Sequence, residues 1–347
     1  MSGLRIFGLV FGLVIFILSF RTFRGQKWNR LNFLLAAASG LFLSLVSFNP
    51  AILNILQGML SLENTERGRL LALLIFAILF LWLVVLSIRA ALLKQRLQFD
   101  RFVRAITIDR YTEPIKHKLA GYDAAVLIPA YNEADNLKEL LPRIPRQVSG
   151  LSLGVIVVDD GSDDNTYECA LSGDAMAVRS PINRGGGAAL RLGYDILKKA
   201  GIDLCVTMDA DGQHSPDEIP GLLAPLLDGR CDIVIGSRVI GAREKDSLFR
   251  LAGVYFFGFV IRRLTGIRIT DPSSNFRAFR VNIIDRVPLE EDQYHTSELI
   301  INAAKCGFRI AEAPITVLKR KYGHSKKGKD WKYGLNFAKI VVKSWWR

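Results

Sequence analysis

Two aspartates separated by one residue, Asp209 and Asp211, are the side chains best suited to metal chemistry. They follow the short apolar segment 203–208, which has the composition of a buried strand. Carboxylates at one strand end can converge on a hard cation, and Mg²⁺ or Mn²⁺ usually takes one or two carboxylates together with substrate phosphates. Such an ion would offset the charge that develops on a departing diphosphate. In isolation, however, an Asp-x-Asp pair more often forms a turn or a helix cap.

Polar side chains also follow two earlier apolar segments. Residues 129–133 (PAYNE) end the first, where Tyr131 could stack on a nucleoside base and Glu133 could accept a hydrogen bond from a ribose hydroxyl. Residues 159–162 (DDGS) end the second, where one aspartate could accept an N–H from the edge of a base. The alternative for each segment is a turn that caps the following helix.

A glycine-rich turn and two arginines extend this set toward phosphate chemistry. Residues 183–187 (NRGGG) precede a helical pattern, and a glycine-rich turn into a helix N-terminus favours anions. The turn lacks the spacing of a dinucleotide or Walker motif. Arg238 follows the apolar segment 232–236, so it is expected to face the same crevice, where a guanidinium can hold a phosphate in a fork. Arg250 could do the same, although a solvated surface position suits Arg250 better than it suits Arg238.

The elements that must position these residues alternate in type. Apolar segments at 124–129, 153–158, 203–208 and 232–236 predict strands, and helical patterns at 134–141 and 188–197 lie between them. Short continuous apolar strands alternating with helices favour a parallel sheet in an α/β domain. Ligands of such sheets bind beyond the carboxyl ends of the strands. Every polar cluster named above lies at such an end, which is the main structural reason to expect one site.

Together these motifs resemble glycosyltransferase family 2, and most closely its dolichyl-phosphate mannosyltransferase-like branch. The resemblance runs in family order over about residues 122–327. The matching stretches are VLIPAYNE from Val126, VIVVDDGSDD from Val155, NRGGGAALRLGY from Asn183, MDADGQHSPDEIP from Met208, IGSR from Ile235, DPSSNFRAFR from Asp271 and PITVLKRKYGHSK from Pro314.

The resemblance implies a GT-A fold, Rossmann-like with a mostly parallel sheet, and a role for each matching position. It implies a metal-dependent hexosyltransferase of the EC 2.4 class that uses Mg²⁺ or Mn²⁺. Nucleotide-sugar contacts are implied for Pro129, Tyr131, Glu133, Asp160, Asp209 and Ala210, and metal and diphosphate contacts for Asp209, Asp211 and Gln213. Contacts to an acceptor phosphate are implied for Arg238, Arg250, Arg320, Ser325 and Lys326, and direct roles in catalysis for Asp211 and Arg238.

One departure from the family pattern falls inside the implied site. Asn275 stands where a glycine is usual before Phe276 and Arg277. Asparagine tolerates a positive φ better than other non-glycine residues, so we expect the turn at this position to survive.

The N-terminal third has the composition of a membrane anchor. Apolar runs at 4–20, 31–48 and 70–88 are at or near the length of about 20 residues that a spanning helix needs. The first run could instead be a signal peptide, but no small-x-small cleavage site follows it. Lys and Arg residues are concentrated in the loop between the first two runs and in the segment after the third run. They therefore predict an outer N-terminus and a cytoplasmic catalytic domain, that is, a multi-pass protein of the inner membrane.

These patterns predict four regions. They are a transmembrane region of about three helices (1–92), an amphipathic connector (93–121), the GT-A domain (122–327) and a basic aromatic tail at the membrane interface (328–347). The formal net charge is +13, and the basic ends of the chain would bind nucleic acid as well as anionic lipid. Because these basic ends lie next to apolar runs, lipid is favoured. A membrane is therefore expected as the partner, without nucleic acid, and a homo-oligomer is possible.

The expected acceptor is a polyprenyl phosphate, undecaprenyl or dolichyl, and the expected donor is GDP- or UDP-hexose. The segment 294–298 lacks the Glu-Asp pair by which inverting relatives deprotonate a hydroxyl, and the nearby Glu291 and Asp292 are not assigned that role. A phosphate monoester, in contrast, is already largely ionised at neutral pH. It would need positioning and charge screening more than a base. Two alternatives stay open: transfer to a lipid or polysaccharide hydroxyl, and a nucleotide-binding protein without catalysis.

Overall fold

The computed structural model describes residues 3–24, 30–59, 66–243, 248–322 and 330–346. The chain divides into two compact units, Met1–Gln98 and Phe99–Arg347. The helices are α1 (Gly3–Arg24), α2 (Arg30–Phe48), α3 (Ile52–Met59), α4 (Glu66–Leu119), α5 (Ala134–Leu140), α6 (Thr166–Ser172), α7 (Gly186–Ala200), α8 (Ile219–Leu227), α9 (Leu248–Thr265), α10 (His295–Lys305) and α11 (Asp330–Trp346). The strands are β1 (Ala124–Ala130), β2 (Gln147–Val148), β3 (Leu151–Asp159), β4 (Met176–Arg179), β5 (Leu204–Thr207), β6 (Ile233–Arg243), β7 (Arg277–Arg280) and β8 (Ile310–Val317).

The first unit is helical, as its apolar runs predict. Helices α1 and α2 pack closely through small residues: a Cβ on Gly40 would lie 2.7 Å from the carbonyl oxygen of Gly12. Such close backbone approach is typical of helix pairs in membranes. Large apolar side chains, among them Phe7 and Trp82, are exposed.

One described helical stretch, Leu73–Leu119, contains a segment long and apolar enough to cross a membrane, and Phe33–Phe48 forms a shorter apolar helix. The presence of three membrane-spanning helices in the N-terminal region therefore stays a prediction. The expected connector is helical, but it is the continuation of α4 and not a separate element. Its side chains Ile108, Ile115 and Leu119 are buried in the core of the second unit, which anchors this end of the helix.

The second unit is built on one twisted sheet with the order β2-β3-β1-β5-β7-β6-β8, and β4 pairs with β3. Strand β1 pairs in parallel with β3 and β5, β3 with β4, and β6 with β8. Strand β7 runs antiparallel to both β5 and β6. The prediction of an α/β domain is confirmed, and its sheet is mixed, because β2 also runs antiparallel to β3. The four predicted strands are present as β1, β3, β5 and β6, whereas β2, β4, β7 and β8 are not predicted by the sequence pattern.

The sheet is covered on both faces, which explains why its strands are continuously apolar. On one face, α4, α7, α10 and α11 pack against side chains such as Leu127 and Ile156. On the other, α5, α6 and α8 pack against side chains such as Val126 and Val155. Alternate residues of one strand thus enter two different cores, so polar side chains are displaced to the strand ends.

The C-terminal helix α11 does not present all of its apolar residues to a membrane. Phe337 and Val341, expected at the interface, are buried in the core, and the Phe337 ring lies 4.3 Å from that of Phe257. The expectation is wrong for these two residues because α9 and α10 provide a protein surface for them. Val342 and Trp345 on the same helix are exposed.

Candidate active site

Asp209 and Asp211 lie directly beyond the end of β5, as the sequence predicts. Both are half-buried. Oδ1 of Asp209 accepts a hydrogen bond from Asn275 Nδ2 at 2.8 Å, and Oδ1 of Asp211 accepts the N–H of Gln213 at 3.2 Å. Each aspartate therefore has one oxygen oriented by a neighbouring group of the protein.

The residues that follow the acid pair are joined to the end of β8. The side chain of Gln213 donates to the carbonyl of Leu318 at 3.1 Å, and the N–H of Leu318 donates to the carbonyl of Gln213 at 2.8 Å. The ring of His214 stacks on that of Phe276, with centroids 5.0 Å apart. Gly212 has a φ of +70°, which favours glycine in this turn. These contacts fix the course of the chain after Asp211.

The acid pair is chemically suited to a cation that takes its remaining ligands from the substrate. Among the residues that the structure describes, no group of three or more His, Cys, Asp or Glu side chains could hold a metal ion by itself. Mg²⁺ usually binds one or two carboxylates and takes its other ligands from water and substrate phosphates. Asp209 and Asp211 fit that requirement. Ala210 between them is buried, so any contact that it makes to a nucleotide would come from its backbone.

Asp160, the second aspartate of its motif, binds the glycine-rich turn. Its carboxylate accepts the N–H of Arg184 at 3.0 Å and that of Gly185 at 2.6 Å. Burial raises the pKa of Asp160 to about 6, although these two N–H groups favour its charged form. The sequence predicts that the N–H groups of this turn bind an anion. In the structure the anion that they bind is the carboxylate of Asp160. The turn orients the aspartate, and Gly185 has a φ of +96° that suits glycine.

The raised pKa of Asp160 predicts how stability depends on pH. The folded protein binds this proton more tightly than the unfolded chain, whose value lies near 3.8. The contribution of Asp160 to the free energy of unfolding therefore falls as the pH rises from about 4 to about 6, and stays low above that range. We expect Asp160→Asn to be more stable than the wild type above about pH 6, by about 1–3 kcal/mol, and the gain to shrink below that value.

This expectation is tested by urea unfolding of the detergent-solubilised protein at a series of pH values. The control is Asp228→Asn, which changes an exposed aspartate paired with Arg230 on the surface. A difference between Asp160→Asn and the wild type that stays constant over the whole pH range would contradict it.

Glu133 and Arg320, for which the family implies contacts to different substrates, form an ion pair. Glu133 is almost buried, and its carboxylate also accepts a hydrogen bond from Asn136 Nδ2 at 2.6 Å. Tyr131 is half-buried, and its hydroxyl donates to Asp163 at 3.4 Å. Pro129 is half-buried near the end of β1. The pair joins the end of β1 to the segment after β8. The Glu133 carboxylate would therefore contact Arg320 as well as any ribose hydroxyl that bound to it.

Arg238 is paired with an aspartate that the sequence pattern does not single out. Its Nε lies 2.6 Å from Oδ2 of Asp271, and its Nη2 donates to Ser273 Oγ at 3.1 Å. The side chain of Asp271 is fully buried, whereas that of Arg238 is 17% exposed. The guanidinium is therefore held in one orientation while part of it stays accessible.

Contrary to the expectation from the sequence, the strand predicted at 232–236 does not end before Arg238. Strand β6 continues to Arg243, and its register against β8 shifts between Ser237 and Ala242. Within this irregular part the two backbones approach so closely that a Cβ on Gly241 would lie 2.2 Å from the carbonyl oxygen of Ile315. A bulge of this kind redirects side chains, which places Arg238 against Asp271.

A charged cluster that the sequence does not reveal joins α4 to the glycine-rich turn. Asp100 on α4 lies 2.6 Å from Arg184 Nη1 of the turn, 3.2 Å from Arg191 Nη2 of α7, and 3.2 Å from Arg104 Nε. The Arg184 and Arg191 side chains are almost buried. Burial lowers the pKa of Arg184, and the Asp100 charge opposes that shift. The Asp100 carboxylate thus offsets the positive charge of three guanidinium groups in and near the turn that binds Asp160.

Removal of this carboxylate is expected to destabilise the second unit. Asp100→Ala would leave Arg184 and Arg104 with less compensation in a largely buried place, and breaking a buried ion pair costs about 3 kcal/mol or more. The measurement is the free energy of unfolding in urea. Asp109→Ala, an exposed aspartate on the same helix, is the control. Equal effects of the two substitutions would show that the cluster does not stabilise the protein.

Two acids near the expected position of a catalytic base are engaged in ion pairs. Glu291 pairs with Lys343, and Asp292 lies 2.5 Å from Arg191. The carbonyl of Asp292 accepts the N–H of Gly187 at 2.8 Å, and a Cβ on Gly187 would lie 2.2 Å from the carbonyl oxygen of Glu291. The third glycine of the turn is therefore needed for packing against this segment, and both acids have structural partners.

Three expected phosphate contacts cannot be placed. Ser325 and Lys326 lie outside the described residues, and so does the side chain of Arg250. Asn275, in contrast, is well placed, and its backbone does not adopt the positive φ that asparagine would tolerate. Its φ is not positive, since the non-glycine residues with positive φ in the described part are Asn132, Ser149, Asp174 and Tyr294. The side chain at this position, not the backbone conformation, distinguishes asparagine from glycine.

The family model described as Glycosyl transferase family 2 matches residues 125–287. The chain is 30% identical to the UDP-N-acetylglucosamine–dolichyl-phosphate N-acetylglucosaminyltransferase of Methanococcus voltae, over 58% of this chain and 88% of that protein. It is 33% identical to the polyprenol monophosphomannose synthase of Mycolicibacterium smegmatis, over 58% of this chain and 79% of that protein.

A solved structure has a similar fold. It is the glucosyl-3-phosphoglycerate synthase of Mycobacterium tuberculosis in complex with Mn²⁺, UDP and glucosyl-3-phosphoglycerate. Its TM-score is 0.51 and its sequence identity 22%, over 66% of this chain and 82% of that one.

Proposed function

The chain belongs to glycosyltransferase family 2, and on that premise we propose that it transfers a hexose from GDP- or UDP-hexose to a polyprenyl phosphate. The product would be a polyprenyl-phosphate hexose, with release of the nucleoside diphosphate. Relatives named for transfer to dolichyl phosphate and for polyprenol monophosphomannose synthesis support this acceptor class.

The main support for the proposal is a short segment that contacts both the expected metal-binding acid pair and the expected phosphate-binding arginine. Residues 271–275 hold Arg238 through Asp271 at one end and contact Asp209 through Asn275 at the other. An acid pair suited to a diphosphate-bound cation and an arginine suited to a phosphate are thus joined by five residues. Transfer between a nucleotide-sugar and a phosphate acceptor requires both kinds of group close together.

In the proposed reaction an oxygen of the lipid phosphate attacks the anomeric carbon of the sugar. The new carbon–oxygen bond forms while the bond from that carbon to the donor diphosphate breaks, with inversion. The attacking phosphate is already largely ionised, which agrees with the engagement of Glu291 and Asp292 in ion pairs. Arg238, held by Asp271, would position it. We assign further contacts to this phosphate to Arg250, Arg320, Ser325 and Lys326.

On the donor side, Asp209, Asp211 and Gln213 would hold Mg²⁺ or Mn²⁺ with the diphosphate. When bound, such an ion stabilises negative charge on the departing group. Asp160 would accept an N–H from the base, Tyr131 would stack on it, and Pro129, Glu133 and Ala210 would line the nucleoside. The half-buried state of Tyr131, Asp209 and Asp211 supports access of a ligand.

For localisation we propose the cytoplasmic membrane, with the catalytic unit on the cytoplasmic side. The apolar segment within Leu73–Leu119 and the exposed apolar side chains of the first unit support an anchor. The distribution of Lys and Arg around the apolar runs supports the orientation. A multi-pass arrangement would keep the site near its lipid substrate.

Labelled nucleotide-sugars test the proposal directly. Membranes containing the protein are incubated with GDP- or UDP-hexoses, Mg²⁺ or Mn²⁺, and undecaprenyl phosphate. A lipid product that is labile to mild acid and requires the protein is expected. Product formed only with hydroxyl acceptors would favour transfer to a lipid or polysaccharide hydroxyl. Nucleotide binding without turnover of any donor would favour the non-catalytic alternative.

A further inference from the structure

Asn275 contacts the acid pair through its side chain, which a glycine at this position could not do. Its Nδ2 donates to Oδ1 of Asp209 at 2.8 Å. The residue is only 6% exposed, so little water can compete for this hydrogen bond. A charge-assisted hydrogen bond in such surroundings is stronger than one between neutral groups.

The backbone of Asn275 is fixed independently of its side chain. Its carbonyl accepts a hydrogen bond from Thr207 Oγ1 at 2.6 Å, which ties it to the last residue of β5. The next residue, Phe276, is fully buried and directly precedes β7. The side-chain amide therefore approaches Asp209 from a rigid position, so that it can select one orientation of the carboxylate.

Asn275 also lines a small cavity together with Gly187 of the glycine-rich turn, Arg191 and His295. A replacement by glycine would enlarge this cavity and leave Asp209 without the amide donor.

We propose that Asn275 is a positioning residue for Asp209, which fixes one carboxylate oxygen so that the other is presented to the divalent cation. The inference rests on the proposed function only in assigning the cation to this acid pair. Groups that orient a metal ligand typically change metal affinity by about 10- to 100-fold when they are removed. Asn275 would therefore act through Asp209 on the metal and the donor diphosphate, and not on the acceptor.

Mn²⁺ binding tests this inference without any sugar transfer. Free Mn²⁺ is followed by electron paramagnetic resonance while it is titrated into the detergent-solubilised protein, in parallel samples with saturating UDP and saturating GDP. We expect Asn275→Ala to weaken Mn²⁺ binding about 10- to 100-fold. Asn275→Ser, whose hydroxyl is also a donor, is expected to lose less.

Asn302→Ala is the matched control. Asn302 is also buried, and its Nδ2 donates to a backbone carbonyl, that of Pro288, at 2.7 Å. Its replacement should lower thermal stability about as much as Asn275→Ala does, while Mn²⁺ affinity stays that of the wild type.

Transfer kinetics give a second measurement. In Asn275→Ala the concentration of Mn²⁺ that gives half-maximal rate should rise, whereas the KM for polyprenyl phosphate should not change. Wild-type Mn²⁺ affinity in both Asn275→Ala and Asn275→Ser would overturn the inference, and so would an equal loss in Asn302→Ala. If polyprenyl phosphate did not act as an acceptor, the proposed function would be contradicted. The inference about Asn275 would be unaffected, because Mn²⁺ binding is measured without an acceptor.

Discussion

Asp211→Ala is expected to reduce sugar transfer on the order of a thousand-fold. A metal ion that screens a departing diphosphate contributes several kcal/mol, and about 1.4 kcal/mol corresponds to a tenfold change in rate. Asp211 is one of the two carboxylates at the end of β5, and its Oδ1 is already oriented by the N–H of Gln213. The loss should appear in the rate at saturating acceptor. The measurement is formation of labelled polyprenyl-phosphate hexose in membranes over a series of Mn²⁺ concentrations.

Asp228→Ala is the matched control for this prediction. Asp228 is exposed and pairs with Arg230 at the surface after α8, so its removal should leave transfer unchanged. A rate for Asp211→Ala within threefold of the wild type, roughly 0.7 kcal/mol, would exclude Asp211 from the metal site.

Arg238→Ala is expected to have two separable effects. It removes a guanidinium proposed to bind the acceptor phosphate, and hydrogen bonds to charged groups contribute about 1.5–3 kcal/mol. Transfer at low acceptor concentration should therefore fall about 10- to 100-fold. It also leaves the fully buried Asp271 without its counterion, which is expected to cost about 3 kcal/mol of stability. Kinetics with varied undecaprenyl phosphate and urea unfolding measure the two effects.

A double variant distinguishes acceptor binding from folding. Arg238→Ala combined with Asp271→Asn removes both charges, so most of the lost stability should return while the KM for the lipid phosphate stays high. Arg230→Ala, at an exposed ion pair, is the control for general loss of a positive charge. Recovery of normal acceptor KM in the double variant would mean that Arg238 serves only to neutralise Asp271.

Several parts of the fold follow from local sequence. The apolar segments at 124–129, 153–158 and 203–208 are strands β1, β3 and β5. They are recognisable because a strand buried on both faces must be apolar throughout. Helix α7 includes the predicted helical segment 188–197 and begins two residues earlier, at Gly186 within the glycine-rich turn. The acid pair is at a strand end because carboxylates cannot remain inside either core without partners.

Other strands were not predicted because their partners lie far away in sequence. Strand β7 is four residues long and contains Arg277 and Arg280, which gives it no apolar pattern of its own. It becomes a strand by inserting between β5 and β6, antiparallel to both. Strand β6 was predicted too short because the part beyond Ser237 depends on a bulged pairing with β8.

Residue types and short spacings account for the α/β class, the family resemblance, the acid pair and the apolar character of the N-terminal third. Which charged groups meet, in contrast, depends on tertiary packing. Arg238 could have paired with any of 33 acidic residues, and the sheet selects Asp271. Glu133 meets Arg320 across 187 positions of sequence, and Asn275 meets Asp209 because β5 and β7 are neighbours. The physical reason is that Coulomb attraction and hydrogen bonding act over a few ångströms, and the packing of the strands sets those distances.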